Sequence, residues 1–130
     1  MTPEALTEKL NLRDDVCHVW ISALLLRDDG GVVYLSNVIE GPERIGVVHI
    51  YIWDKSAKGR AEEARTKMAA LMSAEKLDRL VCGIDVSNTL ALRIAERGGF
   101  NVVGKVRQYK ESGRRHDIIL MDALAEDLNG

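Results

Sequence analysis

The chain has 130 residues, 46% of them hydrophobic and 29% charged, with only 2 prolines, a composition that fits one compact domain and excludes a disordered or low-complexity chain. At this length roughly two-thirds of the unfolded surface is buried on folding, so neither disulfides nor a metal is needed to hold a core. The net charge of -2, from 18 basic and 20 acidic residues, argues against a general nucleic-acid binder, and the longest apolar runs fall short of the ~20 residues a membrane span needs.

Thr2-Pro3-Glu4 has the chemistry of a helix start, with Thr2 as N-cap and Pro3 at the first helical position, and predicts a short helix to about Asn11. Val16 to Leu26 is β-branched and apolar, Asp28-Asp29-Gly30-Gly31 supplies a turn, and Val32 to Glu40 reads as the returning strand of a hairpin. After Gly41-Pro42-Glu43, Arg44 to Trp53 forms a third strand. Val47, His49, Tyr51 and Trp53 share one face of it, and Val48, Ile50 and Ile52 the other.

The period then changes. Ala61, Ala64, Met68, Leu71 and Met72 recur at three- and four-residue steps and mark an amphipathic helix from about Lys58 to Lys76. A short strand at Leu80 to Asp85 completes a strand–helix–strand unit, which implies a parallel, right-handed crossover. Asn88 to Arg97 predicts a second helix with Ala91, Ile94 and Ala95 inward, stopped by Gly98-Gly99. Phe100 to Tyr109 and Asp117 to Leu124 close the chain as a hairpin around Ser112-Gly113. The result is an α+β or α/β domain with a mixed sheet.

Cys17 and Cys82 lie far apart in apolar runs and form neither a CxxC pair nor a zinc pattern with the three histidines, so they read as reduced core thiols, and no metal is expected. No basic stretch leading into an apolar one opens the chain, so a cytoplasmic location without a membrane partner is expected. Charge is uneven: residues 1 to 43 carry three basic side chains against eight acidic ones, whereas 93 to 115 carry seven basic against Glu96 and Glu111. A second cluster, Lys55, Lys58, Arg60, Arg65 and Lys67, opens the long helix, where unpaired N–H groups already favour an anion.

The run from Asn88 through Ala91, Gly99-Phe100 and Gly104 resembles the end of a GNAT-superfamily acyltransferase domain, which shows an Asn, an Ala three residues on, Gly-Phe at the helix close and then a strand with a Gly. Arg107-Gln-Tyr109, Gly113 and Asp117 to Met121 look like that family's final hairpin. Lys58-Gly59-Arg60-Ala61 stands where its pyrophosphate loop falls, and together these cover about residues 44 to 124. The resemblance implies a GNAT-like α+β, three-layer fold over residues 1 to 130, with a mixed, mostly antiparallel sheet and a central βαβ crossover. It implies acetyl-CoA as cosubstrate and an amine of a protein or small molecule as acceptor. It also implies that main-chain amides of Lys58, Gly59, Arg60 and Ala61 receive the pyrophosphate, with charge from Lys55, Lys58 and Arg60. The pantetheine arm would run between the strand ending at Trp53 and the one ending at Asp85, hydrogen-bonded by Asn88, which is equally a helix N-cap by its position.

The sequence departs from the family pattern at four points. Ser56 replaces the Gln or Arg that usually opens the cofactor loop. Ala95 stands where many members carry a Tyr that protonates the departing thiolate, and Gly83 where ribosomal-protein alanine acetyltransferases often carry a carboxylate base. Only about fifteen residues precede the first strand, which abbreviates the acceptor side and suggests completion by a second copy in a homodimer. The remaining acid–base candidates are His49 and Tyr51 on the exposed face of the third strand, Asp85, and Tyr109 on the hairpin. The reading is therefore an N-acetyltransferase, the alternative a catalytically silent GNAT-fold binding or assembly protein. A nucleic-acid module using residues 93 to 115 is disfavoured because Phe100 and Tyr109 are its only aromatics.

Overall fold

The computed structural model describes residues 4–5, 8, 21–26, 30–53, 60–111 and 113–129. In chain order these form β1 (Ser22–Leu25), β2 (Gly31–Ile39), β3 (Ile45–Ile52), α1 (Arg60–Glu75), β4 (Arg79–Asp85), α2 (Thr89–Arg97), β5 (Asn101–Glu111), β6 (Arg114–Leu124) and α3 (Ala125–Asn129). Of the predicted N-terminal helix, Glu4, Ala5 and Glu8 are helical and exposed. The turn residues Asp28 and Asp29 and the thiol of Cys17 lie outside the described residues. The predicted hairpin before β2 closes through Leu26 N–H donating to Gly31 O at 2.9 Å.

The six strands form one mixed sheet in the order β1-β2-β3-β4-β6-β5. Only β3 and β4 run parallel, as the crossover through α1 requires; every other neighbouring pair is antiparallel. The closing hairpin is tighter and longer than its sequence suggests. β6 begins at Arg114 rather than Asp117, and it lies between β4 and β5.

Both helical stripes pack as their periodicity requires. Ala64, Met68, Leu71 and Met72 of α1 and Ala91, Ile94 and Ala95 of α2 join Val33, Leu35, Val48, Leu80, Cys82, Ile84, Met121 and Ala123 in one core on a single face of the sheet. Asn88 caps α2, its Oδ1 accepting from Ala91 N–H at 3.1 Å. The stop after α2 needs Gly99, whose φ is +108° and where a Cβ would lie 2.6 Å from Asp127 O. That contact comes from α3, a helix the sequence pattern did not announce, which plants buried Leu128 beside the α2–β5 turn.

The opposite face carries a second buried cluster. Val32 is 0% and Tyr34 2% exposed, with Ala23, Leu25, Tyr51 and Trp53 packed against them. β2 is thus buried on both sides from Gly31 to Leu35. This corrects the expectation of an exposed face for His49 and Tyr51, which are half-buried.

Candidate functional site

The parallel pair at the centre of the sheet is laddered over only three residue pairs, Ile45 with Arg79, Gly46 with Leu80 and Val47 with Val81. β3 nevertheless continues to Ile52 and β4 to Asp85, each held by its other neighbour, β3 by β2 and β4 by β6. The two strands therefore part beyond Val47 and Val81 and leave main-chain polar groups lining the gap between them. An extended, amide-bearing molecule is the kind of ligand such a gap can pair with.

Strand alternation and antiparallel register place all four predicted catalytic residues on the face away from α1 and α2. His49 and Tyr51 stand on the β3 side of the gap. Asp85 ends β4 on the other side, and Tyr109 reaches the same neighbourhood through β6. The four do not form one cluster but two.

The β3 group is built around a β-bulge. Register shifts between Leu35 and Asn37, leaving Ser36 as the extra residue. Its Oγ donates to Val47 O at 3.3 Å and lies 2.9 Å from His49 Nε2. A hydroxyl has one proton, so with that proton on the Val47 bond it is Nε2–H that donates to Ser36. The His49 ring also stacks on Tyr34, with centroids 4.7 Å apart, and Tyr34 in turn on Tyr51 at 6.1 Å. His49 is thereby a packed residue whose Nε2 is engaged in a hydrogen bond with Ser36 Oγ.

The β4 group centres on Asp85 and a histidine that sequence reasoning missed. Asp85 Oδ1 accepts from Ser87 N–H at 2.8 Å and from Ser87 Oγ at 2.7 Å, while Oδ2 pairs with His116 Nδ1. These bonds, His116 first, hold the Asp85 carboxyl down at about 2. So low a value keeps Asp85 ionised near neutrality, a hydrogen-bond acceptor for His116 and Ser87. Tyr109 is the cross-strand partner of His116 and is half exposed. A signal for His116 was present: a hairpin centred on Ser112-Gly113 sets residue 109 opposite residue 116.

Ala95 is 1% exposed and belongs to the core, so α2 offers no proton donor at that position. Gly83 is exposed on the Asp85 face, two residues before it in the same strand. Cys82 points the other way, and burial pushes its thiol up to about 12, far from a nucleophilic thiolate.

Of the predicted cofactor residues, Lys55, Lys58 and Gly59 lie outside the described residues. Trp53 is half-buried beside Val32 and Tyr34, its main-chain N–H donating to Gly30 O at 3.0 Å. Arg60 opens α1 but is 4% exposed, and its Nη1 donates to Glu63 at 2.9 Å. Arg65 lies 3.7 Å from Glu62. Two described members of that basic cluster, Arg60 and Arg65, are thus matched by carboxylates of the same first turn, which weakens their expected pull on an anion. Ala61, half-buried, leaves a small side chain at the second helical position. Among the described residues no group of three or more His, Cys, Asp or Glu side chains could hold a metal, and no helix is long and apolar enough to cross a membrane.

A family model described as an acetyltransferase (GNAT) domain matches residues 2–101. The chain belongs to the GNAT superfamily. Among curated proteins no sequence match is found. Among solved structures, a ribosomal-protein alanine acetyltransferase from Vibrio fischeri superposes with a TM-score of 0.65 at 22% identity, over 75% of this chain and 55% of that one. RimJ of Mycobacterium smegmatis, in complex with CoA-disulfide, gives 0.66 at 23%, over 77% and 49%. Spermidine N-acetyltransferase of Vibrio cholerae, in complex with CoA and spermine, gives 0.63 at 22%, over 77% and 60%. These likenesses establish the GNAT fold, and the chain spans about half to three-fifths of those proteins.

Proposed function

We propose that this GNAT domain transfers an acetyl group from acetyl-CoA to a primary amine of a protein or small molecule. The observation that carries this reading is the parting of β3 and β4 beyond Val47 and Val81, which offers the pantetheine arm main-chain partners on both sides. The amides of Lys58, Gly59, Arg60 and Ala61 would take the pyrophosphate at the start of α1, aided by Lys55 and Lys58. Trp53 and Asn88 would flank the arm. The thioester would then meet the amine on the face that carries His49, Tyr51, Asp85 and Tyr109. The solved relatives whose names include CoA support the cosubstrate, and spermine and ribosomal protein among their names mark the kinds of amine to try. Such a site works mainly by positioning the two reactants.

A specific observation favours the second reading, a silent binding module: Ala95 is sealed in the core and the Arg60 charge is engaged by Glu63. A homodimer belongs to either reading, with the exposed β5 edge, where Val102 and Val103 are 55% and 59% exposed, as the surface a second copy would cover.

Calorimetric titration with acetyl-CoA separates the two readings. Micromolar binding that a Gly59→Glu variant abolishes, followed by thiol release with spermidine or with a peptide bearing an N-terminal alanine, is the expected result. No binding at millimolar ligand would leave the fold without its cosubstrate and overturn the transferase reading.

A further inference from the structure

We propose that His116 is the general base of this site, with Asp85 as the residue that positions it. The inference rests on the transferase reading above and adds a residue that neither the family pattern nor the sequence analysis assigns.

The geometry begins with the Asp85 carboxylate. It is acceptor-only when ionised, so the proton shared with His116 sits on Nδ1, and the neutral ring carries its lone pair on Nε2. That Nε2 is buried and has no hydrogen-bond partner among the described residues. A buried polar atom without a partner is costly, and a ring fixed at one nitrogen by a carboxylate with the other left bare is how a histidine is readied to take a proton. His49 does not have this arrangement, since its Nε2 is bound to Ser36.

Position agrees with the role. Asp85 is the last residue of β4 on the gap side, and its Oδ1 is fastened by Ser87 in the turn that leads to Asn88. Beside it the sheet face is apolar: a Cβ on Gly83 would meet Ile118 at 2.9 Å and Leu120 at 3.7 Å. An amine held over that surface is kept neutral by desolvation, which is the form that attacks. The ring pairs with Asp85 of β4 and stands across from Tyr109 of β5. Asp117, next in the strand, is tied to Gln108 N–H and Lys105, and Arg115 donates to Gln108 O.

In the step itself the neutral amine nitrogen bonds to the thioester carbonyl carbon while its proton passes to His116 Nε2. The carbon–sulfur bond then breaks with its electron pair on sulfur. The thiolate takes up a proton, so that the products are the N-acetyl amine and the free thiol, and His116 returns to its neutral form by releasing the proton it gained. Asp85 keeps its charge throughout and never holds the proton.

The test measures thiol release from acetyl-CoA with spermidine and with an alanine-initiated peptide across pH, for the unmodified chain and for His116→Gln and Asp85→Asn, with acetyl-CoA affinity and circular dichroism for each. His116→Gln should lose roughly 100-fold or more in kcat while binding acetyl-CoA as before, and should lose the rising limb of the pH profile. Asp85→Asn should keep that limb but turn over more slowly. A His116→Gln protein that retains the limb and most of its kcat overturns the assignment. Should the chain bind acetyl-CoA but accept neither amine, long-range proton–nitrogen spectra decide: a proton on Nδ1 of neutral His116, displaced in Asp85→Asn, supports the base, and a proton on Nε2 overturns it. Failure to bind acetyl-CoA at all removes the transferase reading, and the base with it.

Discussion

At Ile45 to Val47 the strands β3 and β4 are laddered together and pinned from outside, whereas a few residues later the same two strands share no pair. At the closed end Arg79 donates to Glu43 through Nε and Nη2, both at 3.1 Å, and to Asp122 through Nη1 at 2.5 Å. Arg44 adds bonds to Glu75 O at 2.9 Å and to Asp78 at 2.8 Å. At the open end β3 is paired with β2 and β4 with β6, and Asp85 is bonded to His116 and Ser87. A sheet can open in the middle only when each departing strand keeps an antiparallel partner on its far side, because otherwise its main-chain groups lose all their bonds.

The comparison predicts its own failures. Leu80→Ala, at a fully buried position of the closed end, should cost about 2–5 kcal/mol in denaturant unfolding and weaken acetyl-CoA binding in step. Ala95→Tyr restores the residue many GNAT members carry, but at a position 1% exposed it should cost about 1–3 kcal/mol by overpacking and give no gain in thiol release. Arg79→Met should lower the melting temperature less than either, with a penalty that shrinks as salt rises, because the ion pairs it removes are partly solvated.

The smallest effect is the pH dependence of the open end. Asp85 is held at about 2 in the folded chain, below its unfolded value, so its contribution is present above the ordinary carboxylate range and is lost as pH falls through about 2. The stability gap between the unmodified chain and Asp85→Asn should close as pH falls from about 4 towards 2. A gap that does not narrow over that range would mean that ionisation of Asp85 is not what stabilises this end.

The sequence was most legible where a signal is local. Period-two alternation fixed the faces of β3, and spacing of three and four placed the buried stripes of α1 and α2, so the strand–helix–strand unit and the Asn88 cap came through with boundaries within a residue or two. Legibility failed where the partner is distant. The hairpin centre sets His116 opposite Tyr109, but its meaning comes from Asp85, 31 positions away. Likewise α3 is too short to show a period, and the packing of Leu128 near Gly99 is what makes it a helix. His49 was singled out in the sequence as an acid–base candidate on the third strand, yet the bulge at Ser36 engages it.

By itself the sequence determined the order of elements, their inward faces and the membership that the GNAT family model records, because propensity, periodicity and caps act over a few residues along the chain. Only the tertiary structure decided that β6 enters between β4 and β5, that the back face of β2 is buried, and which histidine is bare at one nitrogen. Those outcomes depend on which strand edges meet and on which side chains lose water together, and such energies arise only between segments far apart in sequence.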